Sequence, residues 1–209
     1  MGLRRLLGYG LLCGGALSVA YAGGRYALGE WRQQELRRAW HQAEARAVVS
    51  LARRYVTNNE LAPASVARGV PVARLLIPRL RLDEIVIEGV DDYSLNAGPG
   101  HLPGSAYPGE RGNAVISAHR DRHFRRLGAI QVGDTVLTES GMRSAGWVVI
   151  SKRVVRADAP ALFHTADATL TLTTCWPIRY FGTAPDRLIV TARLIGGPKT
   201  GSFASLSST

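Results

Sequence analysis

The chain has little cysteine, and that scarcity limits the chemistry open to it. It carries two cysteines in 209 residues. Cys13 lies in an uncharged N-terminal run, where a thiol is simply a small apolar group. An exported domain that relied on disulfides would carry several pairs of cysteines, so a disulfide framework is not expected. Cys175 therefore has no obvious partner, and an unpaired thiol outside the cytoplasm is a liability unless it has a function.

The motifs of several enzyme classes are absent as well. The sequence has no Gly-x-Ser-x-Gly of a serine hydrolase and neither the His-Glu-x-x-His nor the Cys-x-x-Cys spacing of a zinc site. His119 and His123 stand four apart, but the residues before His119 read as a strand and no third ligand follows. We expect no metal site and no cofactor; a dependence on calcium stays open, although the few carboxylates around Asp158 and Asp167 do not make a convincing site.

Acidic residues are the minority charge. The formal net charge is +10, and nearly all of the positive charge is arginine. A nucleic-acid role would need basic residues interleaved with aromatic ones on one face, or a known module, and the sequence has neither. We expect no nucleic-acid partner, and weak attraction to anionic lipid headgroups instead.

The N-terminus predicts export. Residues Leu6 to Gly24 carry no charge and follow Arg4-Arg5, and roughly twenty such residues just cross a bilayer core. Two interpretations compete. The run is a single-pass membrane anchor, or it is a cleaved signal peptide ending at Ala20-Tyr21-Ala22. We favour the anchor because the run exceeds the usual length of a signal-peptide core. Both interpretations place the rest of the chain on the extracytoplasmic side of the cell membrane.

The remaining chain divides into a helical stalk and a β-domain. Apolar residues at three- and four-residue steps predict an amphipathic helix from about Glu30 to Tyr55. Short β-type runs separated by Gly, Pro and Asp then predict an all-β barrel or sandwich. The expected organisation is an anchor at 1–29, a stalk at 30–57, a linker at 58–70, a β-barrel at 71–196 and a flexible tail at 197–209. The predicted strands are Val72–Ile77, Leu82–Glu88, Asn113–Ala118, Thr135–Glu139, Gly146–Val155, Ala168–Thr174 and Leu188–Leu194.

Three polar side chains stand at strand ends. Alternating Thr and Leu from Thr169 predict a strand that delivers Cys175 to its end, because Pro177 forbids the strand to continue. His119 ends another predicted strand, and Arg187 lies twelve residues beyond the cysteine. A thiol, an imidazole and a guanidinium are the parts of a nucleophilic acyl-transfer site. Each is weak evidence alone, and the combination is stronger.

These residues resemble the sortase family. The resemblance rests on Thr171-Leu-Thr-Thr-Cys175, on Ser117-Ala-His119-Arg-Asp upstream, and on Arg187 in the next strand. Flanking segments agree, including Gly98-Pro-Gly-His-Leu-Pro-Gly104. Cys175-Trp-Pro-Ile-Arg-Tyr-Phe-Gly with Ala184-Pro-Asp-Arg187 is most similar to class D and related sortases of Gram-negative bacteria.

The resemblance implies an eight-stranded β-barrel and a membrane-anchored cysteine transpeptidase. Such enzymes cut a C-terminal sorting signal of the Leu-Pro-x-Thr-Gly type, hold the acyl group as a thioester, and pass it to an amine on the cell envelope or another protein. By analogy Cys175 is the nucleophile, His119 the general acid and base, and Arg187 the positioner of substrate and oxyanion. Thr174 matches the residue before the cysteine, whose main chain or hydroxyl supports the oxyanion.

Two other functions remain open. One is a hydrolytic cysteine peptidase with the same residues, which passes the acyl group to water. The other is a non-catalytic, membrane-tethered β-domain that binds partner proteins. The resting protonation of Cys175 and His119 also stays open.

Overall fold

The computed structural model describes residues 2–54, 66–140, 143–159, 164–195 and 199–200. Within these residues a long N-terminal helix precedes a mostly β domain. The elements are α1 (Gly2–Arg54), β1 (Pro71–Ile77), β2 (Leu82–Glu88), α2 (Asp92–Ala97), β3 (Gly100–His101), β4 (Asn113–Ser117), β5 (Thr135–Ser140), β6 (Arg143–Arg156), β7 (Thr169–Trp176), β8 (Asp186–Leu194) and β9 (Lys199–Thr200), with short 3₁₀ helices at Pro78–Leu80 and Leu127–Ala129.

Eight of the strands close into a barrel. The order along the sheet is β5-β1-β2-β3-β4-β7-β8-β6-β9, and an additional pairing of β5 with β6 joins the two sides. The two-residue β9 lies outside this closed ring, on the edge of β6. Closure removes the unpaired edges that an open sheet would present. The expected eight-stranded β-barrel is confirmed, and the described chain is mostly β, not all-β, because it also contains α1 and α2.

Alternation along the strands fills the barrel. Leu170 and Leu172 of β7 point inward and pack with Leu188, Val190 and Ala192 of β8, all fully buried. This is the period-2 pattern that the sequence predicts for both strands. Trp147, also fully buried, donates its indole N–H to the Thr138 hydroxyl at 2.9 Å, so its one polar atom is satisfied inside the core.

The helix α1 is continuous across the predicted boundary between anchor and stalk. It packs on the barrel through the buried side chain of Gln33. The Gln33 amide accepts the Ile85 N–H at 3.1 Å and donates to the Ala97 carbonyl at 2.8 Å. It thus joins β2 to the end of α2. Arg37 pairs with Asp83 at 3.2 Å one turn later, and Trp40 is buried one turn beyond that.

The expectation of a membrane-spanning helix is not supported. No helix within the described part of the chain is both long and apolar enough to cross a membrane. The helix is described as far as Arg54, and residues 55–57 of the predicted stalk lie outside the described residues. Most of the expected linker and tail lie outside the described residues, although Lys199–Thr200 of the tail forms β9.

Candidate active site

Parallel pairing of β4 with β7 brings the predicted histidine to the predicted cysteine. Ser117 of β4 is aligned with Thr173 of β7, and the next N–H, that of Ala118, donates to the Thr173 carbonyl at 3.2 Å. His119 follows immediately. Because parallel strands run in the same direction, their C-terminal ends lie at one edge of the sheet. His119 and Cys175 therefore leave the barrel at the same end.

Antiparallel pairing of β7 with β8 adds the arginine. Cys175 and Arg187 are direct cross-strand partners. Directly opposed residues in an antiparallel pair project from the same face, with Cβ atoms about 4.5–5.5 Å apart. Cys175 is exposed, whereas Leu172 and Thr174 are buried. The structure thus places the three residues that the sequence singles out at neighbouring strand ends on one side of the barrel.

The Arg187 guanidinium is uncommitted. Among the residues that the structure describes, it makes no ion pair or side-chain hydrogen bond, and it is partly exposed beside the thiol. Leu188 and Val190 bury the opposite face of its strand. A guanidinium with free N–H donors at this position can meet an oxyanion or a carbonyl of a bound peptide.

Thr174 has a different place from the one expected for a hydroxyl at an oxyanion. Its side chain is buried and its hydroxyl donates to the Ala118 carbonyl at 2.7 Å. That hydrogen bond joins the residue before Cys175 to the residue before His119. The hydroxyl proton is therefore committed to holding the two strand ends together and is not available to an oxyanion.

Burial sets the protonation preference of His119. Desolvation lowers the pKa of the half-buried imidazole, because removing water penalises the charged form. Asp121 opposes this shift, and the positive charge of Arg122 adds to it. The neutral ring is favoured near neutral pH, and a neutral imidazole can accept a proton from a thiol.

A tight turn fixes the position of His119. Its carbonyl accepts the N–H groups of Arg122 at 3.3 Å and of Phe124 at 3.2 Å, and the Phe124 ring is fully buried. His123 turns away from the site and lies 3.4 Å from Glu84 through its Nδ1 atom. The two histidines do not converge on one point.

Arg120 is a site residue that the sequence did not single out. Its guanidinium donates to three carbonyls of the loop between β7 and β8, namely Pro177 at 3.4 Å, Tyr180 at 3.0 Å and Gly182 at 2.7 Å. It also lies over the Tyr180 ring, 5.7 Å from the centroid. Arg120 thus ties the segment after His119 to the segment after Cys175. Its place directly after the histidine was the one available signal.

Trp176, the last residue of β7, packs on the face of the strand opposite to Cys175. It packs partly against the core, and a Cβ placed on Gly128 would lie 3.2 Å from its indole and 3.1 Å from Ile178. A larger residue at this position would require the indole or Ile178 to shift by a few tenths of an ångström. Because successive strand residues face opposite ways, a Trp176 held toward the barrel interior turns Cys175 outward.

Comparison with known proteins identifies the family of the chain. The family model of the sortase domain matches residues 75–195. Sortase D of Bacillus subtilis is 34% identical over 119 residues, which cover 56% of this chain and 60% of that protein, less than two thirds of its length. The catalytic domain of SrtD from B. anthracis is 30% identical, with a TM-score of 0.55 over 69% of this chain and 99% of that one. A sortase D5 transpeptidase of Clostridium perfringens shares the fold at 23% identity, with a TM-score of 0.63 over 81% of this chain and 99% of that one.

Proposed function

The chain belongs to the sortase family, and from that premise we propose that it is a cysteine transpeptidase acting through Cys175, His119 and Arg187. One observation carries the proposal. The ends of β4 and β7 and the beginning of β8 meet at one end of the barrel, where a thiol, an imidazole and a guanidinium lie on neighbouring strands. The hydrogen bond from the Thr174 hydroxyl to the Ala118 carbonyl also joins the ends of β7 and β4.

In the first half-reaction Cys175 attacks a peptide carbonyl. The substrate is a protein with a C-terminal sorting signal of the Leu-Pro-x-Thr-Gly type, cut between Thr and Gly. The neutral His119 ring takes the thiol proton, and the thiolate sulfur forms a bond to the Thr carbonyl carbon. The carbonyl oxygen becomes an oxyanion, which Arg187 stabilises with its N–H donors. His119 then returns the proton to the leaving Gly amine, and a thioester remains on Cys175.

In the second half-reaction an amine accepts the acyl group. His119 removes a proton as the amine attacks the thioester carbonyl, and the restored thiol leaves as the new amide forms. The amine belongs to a cell-envelope component or to another protein. No redox step is involved, so the residues of the chain suffice for the proton and acyl transfers.

We also place the barrel on the extracytoplasmic side of the cell membrane. The uncharged run from Leu6 to Gly24 supports export, and α1 continues from that run to its packing site on the barrel. We propose that the chain consists of a membrane anchor or signal segment at 1–29, an amphipathic stalk at 30–57, a linker at 58–70, the catalytic barrel at 71–196 and a flexible tail at 197–209.

Intact mass spectrometry tests the proposal. The purified protein is incubated with peptides of the Leu-Pro-x-Thr-Gly type, with and without an added amine. A thioester adduct on the protein and an amine-ligated peptide are expected. Cys175→Ser should abolish the adduct, whereas Cys13→Ser, which removes the other thiol of the chain, should leave it unchanged.

Other outcomes would point to the alternative functions. An adduct that gives only hydrolysed peptide, even with excess amine, identifies a peptidase. No adduct, together with a Cys175 thiol that resists alkylation at neutral pH, identifies a non-catalytic domain. His119→Gln tests the acid and base role of His119 separately from the role of Cys175 as nucleophile. This substitution should slow adduct formation by about 10²–10⁴-fold, while Cys175 stays accessible to alkylation.

A further inference from the structure

Five exposed arginines surround one open groove on the rim of the barrel. The groove has a volume of about 720 Å³ and lies beyond the 3₁₀ helix Pro78–Leu80, alongside Trp176. We call it the arginine groove. Its arginines are Arg79, Arg81, Arg125, Arg126 and Arg179.

Within its own lining the arginine groove carries only positive charge, whereas the adjoining cavity that shares Arg81, Arg125 and Arg126 adds the acidic residues Glu30, Glu84 and Asp121. No acidic residue of the described chain lines it. Arg79 pairs with Asp134 at 3.1 Å, but Arg81, Arg125 and Arg179 make no ion pair with any described residue. Clustered guanidinium groups repel one another and favour phosphate oxygens, which they bind in a fork geometry. The groove therefore has the chemistry of a phosphate-binding surface.

The floor of the groove is apolar. Leu80, Ala129, Trp176, Pro177 and Ile178 line it between the arginines. A free inorganic anion gains nothing from such a floor. A phosphate carried on an apolar body gains from both parts, as a lipid does, and an indole at such a boundary is typical of membrane interfaces.

The helix α1 places this groove at a defined depth. A second cavity shares Arg81, Arg125 and Arg126 with the groove and is closed by Gly29 and Glu30 of α1. Gly29 lies five residues after Gly24, where the uncharged run ends. At 1.5 Å per helical residue this is about 8 Å along the axis. The headgroup layer on each side of a bilayer is about 5–8 Å thick.

The uncharged run itself presents apolar side chains to the outside. Leu11, Leu12, Leu17 and Val19 are 70–79% exposed. Contiguous exposed apolar residues mark a surface that contacts lipid or protein. If these apolar side chains enter the acyl region, the arginines lie at the level of the headgroups. We propose that the arginine groove docks on anionic phospholipid headgroups and so holds the barrel against the membrane.

This inference rests on the proposed extracytoplasmic location and on contact of the apolar side chains of α1 with lipid, and not on the transpeptidase activity. Its test therefore measures binding. The full chain is mixed with vesicles of phosphatidylcholine alone or of phosphatidylcholine with phosphatidylglycerol, and the bound fraction is measured by flotation. Binding should be tighter with phosphatidylglycerol, and the difference should shrink as salt rises.

Charge reversal locates the binding surface. Each arginine near an anionic surface contributes a factor of about 5, so R81E/R125E should weaken the preference for phosphatidylglycerol by at least about 25-fold. R125E/R179E should do the same, which guards against a folding defect of one variant. The matched control is R111E/R193E, with the same charge change at exposed arginines on the opposite end of β4, β7 and β8.

Several outcomes would overturn the proposal. Equal losses in R81E/R125E and R111E/R193E would mean attraction by net charge alone. Tight binding without a preference for phosphatidylglycerol would mean that α1 binds lipid but that the arginine groove does not recognise anionic headgroups. Absence of vesicle binding would refute both the contact of α1 with lipid and the docking of the arginine groove. Displacement by inorganic phosphate, but not by chloride at equal ionic strength, would identify a site for the free anion instead of a docking surface.

Discussion

A pair of adjacent threonines offers a sharp test of how the site is held together. The buried Thr174 hydroxyl donates to the Ala118 carbonyl at 2.7 Å. The neighbouring Thr173 hydroxyl is equally buried, on the opposite face of β7, and has no hydrogen-bond partner among the described residues. Valine replaces each hydroxyl by a methyl group of nearly the same size. The two substitutions therefore differ mainly in whether a hydrogen bond is lost.

The expected effects on stability have opposite signs. T174V removes a buried hydrogen bond and leaves the Ala118 carbonyl without this donor, so it should lower the free energy of unfolding by about 1–3 kcal/mol. T173V removes a buried hydroxyl that already lacks a partner. It should change the free energy of unfolding by between zero and a gain of about 1 kcal/mol.

Urea unfolding followed by circular dichroism measures both values, with the denaturant slope checked for constancy. Thermal melts give a second measure, since a domain of this size shifts by about 2–4 °C per kcal/mol. Equal destabilisation by T174V and T173V would refute the assignment of the Thr174 hydrogen bond. So would a T174V protein as stable as the parent.

Three further predictions concern the reaction itself. R187A should lower kcat by about 10²–10³, and R187K should not restore it, because an ammonium lacks the guanidinium fork; near-normal single-turnover rates would contradict the oxyanion role. As the pH is lowered, kcat/KM should fall because His119 becomes protonated and no longer acts as a base. The midpoint of this fall should lie below pH 6.5, because burial lowers the pKa of His119. Asp121 raises the pKa of His119 and Arg122 lowers it, so D121N should move this midpoint to lower pH and R122Q should move it to higher pH. Shifts of the same sign would refute this electrostatic explanation. R120A should raise the peptide KM more than it lowers kcat, since three carbonyls of the loop between β7 and β8 lose their donor; unchanged steady-state kinetics would make that clamp dispensable.

Short β-type runs between turn residues predicted most of the strands, and in β7 the alternation of Thr and Leu predicted which side chains face the barrel core. The predicted bounds of β2 agree with the structure, and β7 extends two residues beyond its predicted end. The extension exists because pairing with β8 continues through Cys175 and Trp176. β3 was missed, since Gly100–His101 lies among glycines and prolines that read as a turn. It becomes a strand through its partners β2 and β4, which no local pattern encodes.

The contacts that hold the site together could not be predicted from local sequence patterns, because they join residues far apart in the sequence. The Thr174 hydroxyl reaches a carbonyl 56 residues away, and Arg120 reaches carbonyls 57 to 62 residues away. Threonine in a β-strand is ordinary, and an arginine in a loop reads as a solvated charge. Their roles depend on which strands become neighbours, and that is decided by the tertiary fold.

The parallel pair β4–β7 is the feature that converts three strand ends into one site. The strand β4 has five residues and is about 17 Å long at 3.4 Å per residue. With β4 antiparallel to β7, His119 and Cys175 would lie at opposite ends of that length, too far apart for proton transfer. Parallel pairing requires a long crossover, here supplied by β5 and β6, and it places both C-terminal ends at one rim. The antiparallel β8 returns through the loop 177–185 and begins where β7 ends, so Arg187 lies beside Cys175. Sequence motifs supply the chemistry of each group, and strand direction determines that the groups can act together.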